Sequence, residues 1–526
     1  MNMSKPVIRF CLNGSWIEES AVSSDMTVLR YLRTQQALSG TKEGCGSGDC
    51  GACSVLLGEK QDGKWQYQAI NGCISFVAQL DGKSLITVDA LATKGSAKEK
   101  TPDQLHPAQQ AMVDYHGSQC GFCTPGIVMS LAALHENQGG EPADHHKIID
   151  ALSGNLCRCT GYRPIIEAAE NMSKYQNNSA DAGQVGIWQP EAETKSEAPV
   201  DVAAETEAGL FHAASNSDIA SQSWSPKTED ELKTLLAQHP EARMVAGGSD
   251  IALEVTQMNR RLPELIAIND IASLKTITVE DDSILIGAGV TYSQMEATLN
   301  EHFPEFGQLL HRFASRQVRN NGTMGGNVAN ASPIGDTPPV LLALEACIEL
   351  ASAEGNRWMP LKEFFLDYKK TEQKQGEYLR MFRIPRLQKN QALKVYKISK
   401  RLEDDISAVL AAFKFTLSNK EVGEQTVISV SSGFGGMAGI PKAATNLEQA
   451  LVNKAVSMEA FEEAAQVLNQ DFAPMTDVRA TSEYRMQVAQ NLIQKCAFEL
   501  SNPNLVTRIE SLDKSELSAG EVANHA

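Results

Sequence analysis

The chain has 526 residues, enough for three or four domains, each with its own core. Lys and Arg number 47 against 65 Asp and Glu, and the formal charge of −18 argues against nucleic acid or an anionic membrane surface as a partner. Residues 1–10 carry no cationic stretch followed by an apolar one, and no apolar run approaches the roughly 18 residues of a membrane span, so the expectation is a soluble, cytoplasmic protein.

In chain order, residues 7–17 alternate around Asn13-Gly14, a dipeptide suited to the positive φ angles of a hairpin turn, and a small strand-rich domain is expected over 5–90. Within it Cys45, Cys50 and Cys53 are spaced C-x4-C-x2-C, and Cys73 follows after nineteen intervening residues. The run E-G-C-G-S-G-D-C-G-A-C-S-V holds four glycines, which let backbone wrap a compact inorganic core and turn amide hydrogens toward sulfur. This is the plant-type ferredoxin pattern, which holds a [2Fe–2S] cluster; a zinc ribbon would need a second cysteine pair or histidines close by. Cysteines so spaced suit metal binding in a reducing compartment better than disulfides.

From His106 the texture turns helical, with helices expected over 107–116, 124–136, 144–152 and 164–175 in an all-helical domain spanning 91–176. Thr124 before Pro125 reads as an N-cap and first-turn pair, and Pro164 opens the last helix in the same way. Cys120 and Cys123 form one pair there, and Cys157 and Cys159 another. Residues two apart cannot share a helix face, so Cys157 and Cys159 belong in the loop between Leu152 and Pro164, facing the first pair at another helix start. Four such thiolates suit zinc or a second [2Fe–2S] cluster; the neighbouring ferredoxin-like domain favours the cluster, since a second redox centre gives the first a use. Cys11, Cys347 and Cys496 read as buried small hydrophobes.

Residues 177–223 are rich in Ala, Ser and acidic side chains and read as a linker. A mixed domain follows over 224–390, with strands expected at 244–246, 265–268 and 284–287 and helices at 229–238 and 292–300. Val245-Ala246-Gly247-Gly248-Ser249-Asp250, leading to Ile251, joins a strand to a helical run, where glycines let a diphosphate approach backbone amides. Residues 320–336, N-N-G-T-M-G-G-N-V-A-N-A-S-P-I-G-D, hold too few large side chains for a core strand and suggest backbone lying against a flat or phosphorylated ligand. An α+β domain is expected over 391–500, with strands at 407–417 and 426–434 and helices at 447–452, 458–468 and 482–500; from Asn502 the tail is polar and expected to fray.

With both cysteine groups and the second glycine-rich stretch together, the chain resembles the xanthine dehydrogenase family, and within it the small iron–sulfur and FAD subunit of bacterial two-subunit members. E-G-C-G-S-G-D-C-G-A-C, Q-C-G-F-C-T-P-G, G-N-L-C-R-C-T-G-Y-R-P and G-G-N-V-A-N-A-S-P-I-G-D carry the resemblance, which spans residues 5–500 in the family's order. It implies a multidomain α+β protein: a β-grasp ferredoxin-like domain, an all-helical [2Fe–2S] domain, a vanillyl-alcohol-oxidase-like FAD domain and a C-terminal domain like that of CO dehydrogenase flavoproteins.

It further implies two [2Fe–2S] clusters on the eight cysteines named, and FAD held at its diphosphate by Val245 to Ile251 and by Thr323, Met324, Gly325, Gly326 and Asn327. Phe313 would flank the isoalloxazine, Asp336, Leu379 and Lys397 would be further flavin contacts, and the R-L-E-D-D run from Arg401 to Asp405 would lie beside the flavin and affect NAD access. Read without the resemblance, Phe313 is a core aromatic and that run a solvated turn. The molybdopterin domain of the family has no counterpart here, which implies a separate large subunit, by family pattern in a dimer of heterodimers. The expected activity is xanthine dehydrogenase electron transfer in purine catabolism, from a partner's molybdenum centre, where hypoxanthine and xanthine become urate, to FAD and then NAD. The alternatives are the same role in a hydroxylase of aldehydes or N-heterocycles, and a non-catalytic redox carrier.

Overall fold

Asn13 and Gly14 both turn through positive φ, 52° and 92°, and fold strand β1 (Ile8–Leu12) back on β2 (Ser15–Glu19) as the dipeptide predicts. The computed structural model describes residues 7–61, 63–92, 105–175, 221–402 and 404–508. In it the hairpin joins β3 (Ser54–Gln61), β4 (Lys64–Asn71) and β5 (Ser84–Ile86) in the order β2-β1-β5-β3-β4. Helix α1 (Val28–Thr34), capped by the Thr27 hydroxyl, buries Val28, Leu29 and Leu32 with Phe10 and Leu85. This is the expected β-grasp arrangement, and it leaves the cysteine loop between α1 and β3 at one edge.

The next domain is helical, with α2 (Pro107–Asp114), α3 (Thr124–Asn137), α4 (His145–Leu152) and α5 (Arg163–Asn171) around Ile127, Leu131, Ile148 and Ile165. One cap differs from expectation. Cys123, not Thr124, is the N-cap of α3, and it makes no side-chain cap bond. Thr124 is itself the first residue of the helix, and its hydroxyl bonds Ser118 at 2.7 Å. Likewise α5 opens at Arg163, with Tyr162 in the left-handed region before it.

The stretch read as a linker lies outside the described residues as far as 220, and its last residues form β6 (Gln222–Trp224). After it come α6 (Glu229–Gln238), β7 (Arg243–Val245), α7 (Ile251–Thr256) and β8 (Glu264–Ala267), and β6 and β7 flank β8 as parallel strands. The chain continues through β9 (Ile277–Val279), β10 (Ser283–Gly287), α8 (Tyr292–His302), α9 (Pro304–His311), α10 (Arg316–Arg319), α11 (Met324–Ala329) and α12 (Thr337–Ala343). It then forms β11 (Cys347–Ser352), β12 (Gly355–Pro360), the short pair β13 (Phe365–Asp367) and β14 (Lys370–Thr371), and β15 (Tyr378–Pro385). An antiparallel sheet ordered β12-β11-β15-β10-β9 packs with α8, α9 and α12 in the largest core.

The C-terminal domain is an antiparallel sheet of β16 (Gln391–Ile398), β17 (Val409–Leu417) and β18 (Val427–Gly435), backed by α13 (Thr445–Leu451), α14 (Met458–Ala465), α15 (Leu468–Asp471) and α16 (Ser482–Ser501). β16 was not expected as a strand. The tail departs from expectation too, because residues 502–508 dock. The Thr507 hydroxyl donates to Glu499 at 2.6 Å, and the Arg508 guanidinium reaches Glu305 on α9 and the Val395 carbonyl at 2.8 Å. The rest of the tail lies outside the described residues.

Cys11 and Cys496 are fully buried as expected, but Cys347 is only half-buried, because it is the first residue of β11, where the strand emerges from the turn after α12. Among the described residues no helix is long and apolar enough to cross a membrane.

Candidate redox centres

The first cysteine loop turns three times through left-handed backbone, at Gly46 (φ 67°), Gly48 (84°) and Gly51 (67°), conformations that cost glycine nothing. Those turns bring Cys45 against Cys50 and Cys73, and Cys53 against Cys73. Backbone amides point at the sulfurs: Cys45 N–H donates to Cys50 Sγ and Ser47 N–H to Cys45 Sγ, each at 3.3 Å. The hydrogen bonds from Cys50 and Cys73 hold the Cys45 thiol well below its usual range, and Cys73 does the same for Cys53; Cys50 and Cys73, as donors, are pushed up. Thiols gathered in this way lose their protons when a metal centre binds them as thiolates.

In the helical domain Cys120 pairs with Cys159 and Cys123 with Cys157, so the loop before α5 does face the start of α3. Cys157 is buried, its N–H donating to Tyr162 Oη at 2.9 Å, whereas Cys120 and Cys159 are exposed. A mononuclear zinc site needs four donors about 2.3 Å from one point. Two pairs of thiols, Cys120 with Cys159 and Cys123 with Cys157, are equally the donor set of a two-iron cluster, two thiolates to each iron, and the four thiols gathered in the first loop are the same complement.

The two loops touch. Leu156 N–H donates to the Cys50 carbonyl at 3.0 Å, and Phe122 approaches to 3.6 Å of where a Cβ on Gly44 would stand. A Cβ on Gly51 would sit 2.2 Å from the Gly154 carbonyl oxygen, and one on Gly126 2.1 Å from that of Gly51, so only glycine permits the approach.

The glycine-rich turn after β7 is pinned from both sides. Gln79 of the ferredoxin-like domain donates to the Ala246 carbonyl at 2.6 Å, and Asn321 to the Gly247 carbonyl at 2.7 Å. A Cβ on Gly247 would lie 2.2 Å from the Asn321 carbonyl oxygen, and one on Gly248 (φ 81°) 2.9 Å from that of Ile74, the neighbour of Cys73. Val245 is buried at the strand end, Asp250 is the N-cap of α7, Ile251 begins that helix, and Ser249 lies between. Facing them, Thr323 caps α11 by accepting from Gly326 N–H at 3.0 Å, Met324 is buried, and Gly325 has no room for a Cβ, which would meet the Ala288 carbonyl oxygen at 2.4 Å. Asn327 Oδ1 is buried without a hydrogen-bond partner. The buried Asn327 Oδ1 calls for a donor, which the hydroxyls and ring N–H groups of FAD supply, and the glycine turns leave backbone amides for its diphosphate; FAD would be held here by residues 245–251 and 323–327.

The remaining expected flavin residues divide. Asp336 and Lys397 meet each other in the interior at 2.5 Å, Leu379 is buried in β15, against which α11 packs, and Phe313 is half-buried with its ring 4.4 Å from that of Tyr292. Phe313 is thus joined to the core on at least one side. Of the run from Arg401 to Asp405, Glu403 lies outside the described residues; Arg401 is exposed and its N–H donates to Asp405 at 2.9 Å. Burial, and then the charge of Asp49 in the first cysteine loop, push the Asp404 carboxyl up to about 6. Sequence reasoning did not foresee that Gln79, Asn155, Gln317 and Asn321 are the amides that join the domains; Asn155 stands in G-N-L-C-R-C and Asn321 in the stretch 320–336, both singled out for other reasons, whereas Gln79 and Gln317 gave no signal.

Four family models cover most of the chain: the 2Fe-2S iron-sulfur cluster binding domain (residues 10–78), the [2Fe-2S] binding domain (87–170), the FAD binding domain in molybdopterin dehydrogenase (219–387) and the CO dehydrogenase flavoprotein C-terminal domain (394–500). Among curated proteins, the chain is 32% identical to xanthine dehydrogenase of Emericella nidulans, over 99% of the chain and 41% of that protein. It is also 32% identical to that of Drosophila subobscura, over 88% of the chain and 37% of that protein. The chain therefore spans well under half the length of these relatives. Among solved structures, CO dehydrogenase from Oligotropha carboxidovorans aligns with a TM-score of 0.50 and 26% identity, over 54% of this chain and 98% of that one. The paired thiols, the flavin cradle and these matches lead to one conclusion: the chain belongs to the molybdenum hydroxylase family and carries its two [2Fe–2S] domains, its FAD-binding domain and its flavoprotein C-terminal domain, an oxidoreductase assembly for electron transfer.

Proposed function

We propose that this chain is the electron-transfer part of a xanthine dehydrogenase. It would take the electrons released when hypoxanthine and xanthine are hydroxylated to urate at a molybdopterin centre on a partner chain, and deliver them to NAD. The observation that carries the reading is the unbroken contact from the exposed cysteine pair to the flavin cradle. Cys120 and Cys159 open to the surface, Leu156 bonds Cys50, and Gln79 and Asn321 fasten the Ala246-Gly247 turn beside Ile74. When bound, the clusters would supply one-electron transfer and FAD the two-electron exchange with a nicotinamide. The protein's part is to hold these groups close and exclude water between them, which the buried Cys53, Cys73 and Met324 do. The similarity to CO dehydrogenase supports a second reading, the same role for a hydroxylase of another substrate such as an aldehyde or N-heterocycle.

The purified chain should oxidise NADH with an artificial dye and hydroxylate no purine. With the molybdopterin subunit added, in a dimer of heterodimers, it should reduce NAD in a xanthine-dependent reaction, and Cys45→Ala or Cys157→Ala should abolish that coupled reaction while sparing the dye reaction. An FAD-loaded chain inert to NADH would overturn NAD as acceptor; coupled turnover on an aldehyde or N-heterocycle but not on xanthine would favour the second reading.

A further inference from the structure

Asn155 lies two residues before Cys157 and is 2% exposed, yet it belongs to neither cysteine pair. Its side-chain amide uses all of its hydrogen-bonding capacity. Oδ1 accepts from the Ser130 hydroxyl at 2.7 Å and from Gln317 Nε2 at 2.8 Å; Nδ2 donates to the Gly51 carbonyl at 3.1 Å and to Ser54 Oγ at 3.3 Å. The four partners come from three domains. Ser130 is on α3 behind Cys123, Gly51 and Ser54 bracket the first cysteine loop around Cys53, and Gln317 is on α10 of the flavin domain.

The network extends beyond Asn155. Gln317, 1% exposed, shares the two hydrogens of its Nε2 among Asn155, Ser130 at 2.8 Å and the Ala151 carbonyl at 3.2 Å, its Oε1 is buried without a partner, and Ser54 donates to the Gly51 carbonyl at 2.7 Å. A Cβ on Gly154 would stand 2.3 Å from Gln317 Oε1, so α10 presses on the loop that carries Asn155. A hydroxyl or carboxylate in place of the amide could not donate twice and accept twice. A buried network of this kind fixes geometry because each unmade bond would strand a polar group away from water.

We propose that Asn155, backed by Gln317, is a positioning residue that sets the separation of the two cysteine loops, and with it electron exchange between the centres they hold. The Leu156 N–H to Cys50 carbonyl contact is the feature it maintains: Leu156 follows Asn155, and Gly51 follows Cys50, so the two amide bonds to Gly51 and Ser54 run beside it. The inference rests on the reading that both cysteine sets hold clusters, and it is separable from the choice of substrate or of NAD.

The test uses the full chain with its iron and FAD, reduced by dithionite so that neither the partner nor NADH is needed. Low-temperature electron paramagnetic resonance of the unsubstituted chain should show two cluster signals broadened by mutual spin interaction. Asn155→Leu should keep both signals and the flavin absorbance but lose the broadening, and electrons placed on the flavin should reach the second cluster more slowly. A purely structural role would lower the melting temperature and leave the broadening unchanged. Wild-type broadening in an iron-loaded Asn155→Leu chain overturns the proposal, as do two unbroadened signals in the unsubstituted chain; a single cluster signal there overturns instead the two-cluster reading beneath it. If Asn155→Leu fails to hold its second cluster, Gln317→Leu, remote from the cysteines in sequence, decides by the same readouts: loss of broadening upholds the role of the network and wild-type broadening refutes it.

Discussion

Lys397 Nζ and Asp336 Oδ2 meet at 2.5 Å with both residues 5% exposed, and the Ser407 hydroxyl donates to the other carboxylate oxygen at 2.5 Å. The pair ties β16 of the C-terminal domain to the residue that caps α12 in the flavin domain. Two charges taken so far out of water stabilise only as a pair, and removing one strands the other.

Lys397→Met should therefore cost about 3–5 kcal/mol, the range for leaving a buried charge unpaired, and should lower FAD retention. Denaturant unfolding followed by flavin fluorescence measures it. The double substitution Lys397→Met with Asp336→Leu should recover most of the loss; a single variant as stable as the parent would show that the pair bears no load.

The paired thiols predict metal content. Purified protein should contain about four irons and no zinc per chain, because each four-cysteine set fits a two-iron cluster. Metal analysis with about two irons and one zinc would assign zinc to the helical domain. Cys120→Ala should remove one paramagnetic signal and leave the other, and loss of both from a soluble, FAD-loaded variant would contradict independent sites.

Gly126 on α3 packs so closely on the first cysteine loop that a Cβ there would stand 2.1 Å from the Gly51 carbonyl oxygen. Backbone has to move to admit it, so Gly126→Ala should destabilise by about 1–3 kcal/mol although alanine is the better helix former. Thermal unfolding gives the sign, and a stabilised variant would mean that the loops are not held together.

His135 is buried on α3, its Nδ1 has no hydrogen-bond partner, and the His106 ring stands 5.5 Å away. Burial and then His106 push its pKa down to about 4, against the opposing pull of Glu136. The unfolded chain thus binds this proton first as pH falls. The stability due to neutral His135 is complete above about 6.5, the ordinary histidine value, and is lost as pH falls from there toward about 4. His135→Leu should reduce the difference in unfolding midpoint between neutral and mildly acid buffer, and an unchanged difference would assign the acid sensitivity to other groups.

What could be read from the sequence was local. The cysteine spacings name their donor sets because a cluster takes its thiolates from a short loop, and Asn13-Gly14 names its turn because positive φ is a property of single residues. Helices α2 to α5 and the glycine-rich turn after β7 were legible for the same reason. A residue type suited to a cap does not by itself place the helix end: Thr124 has a capping side chain, but the helix begins one residue earlier than that expectation and leaves Thr124 bonded to Ser118.

The amino-acid sequence by itself determined which groups this protein can hold: two four-thiolate sets and a glycine-lined turn suited to a diphosphate. Only the tertiary structure decided how those groups stand to one another. Asn155 meets Gln317 across 162 residues, Lys397 meets Asp336 across 61, and Arg508 reaches Glu305 across 203. No spacing rule foretells such pairs, because each is worth forming only after the cores have brought its members together away from water, where an unmet polar group costs most.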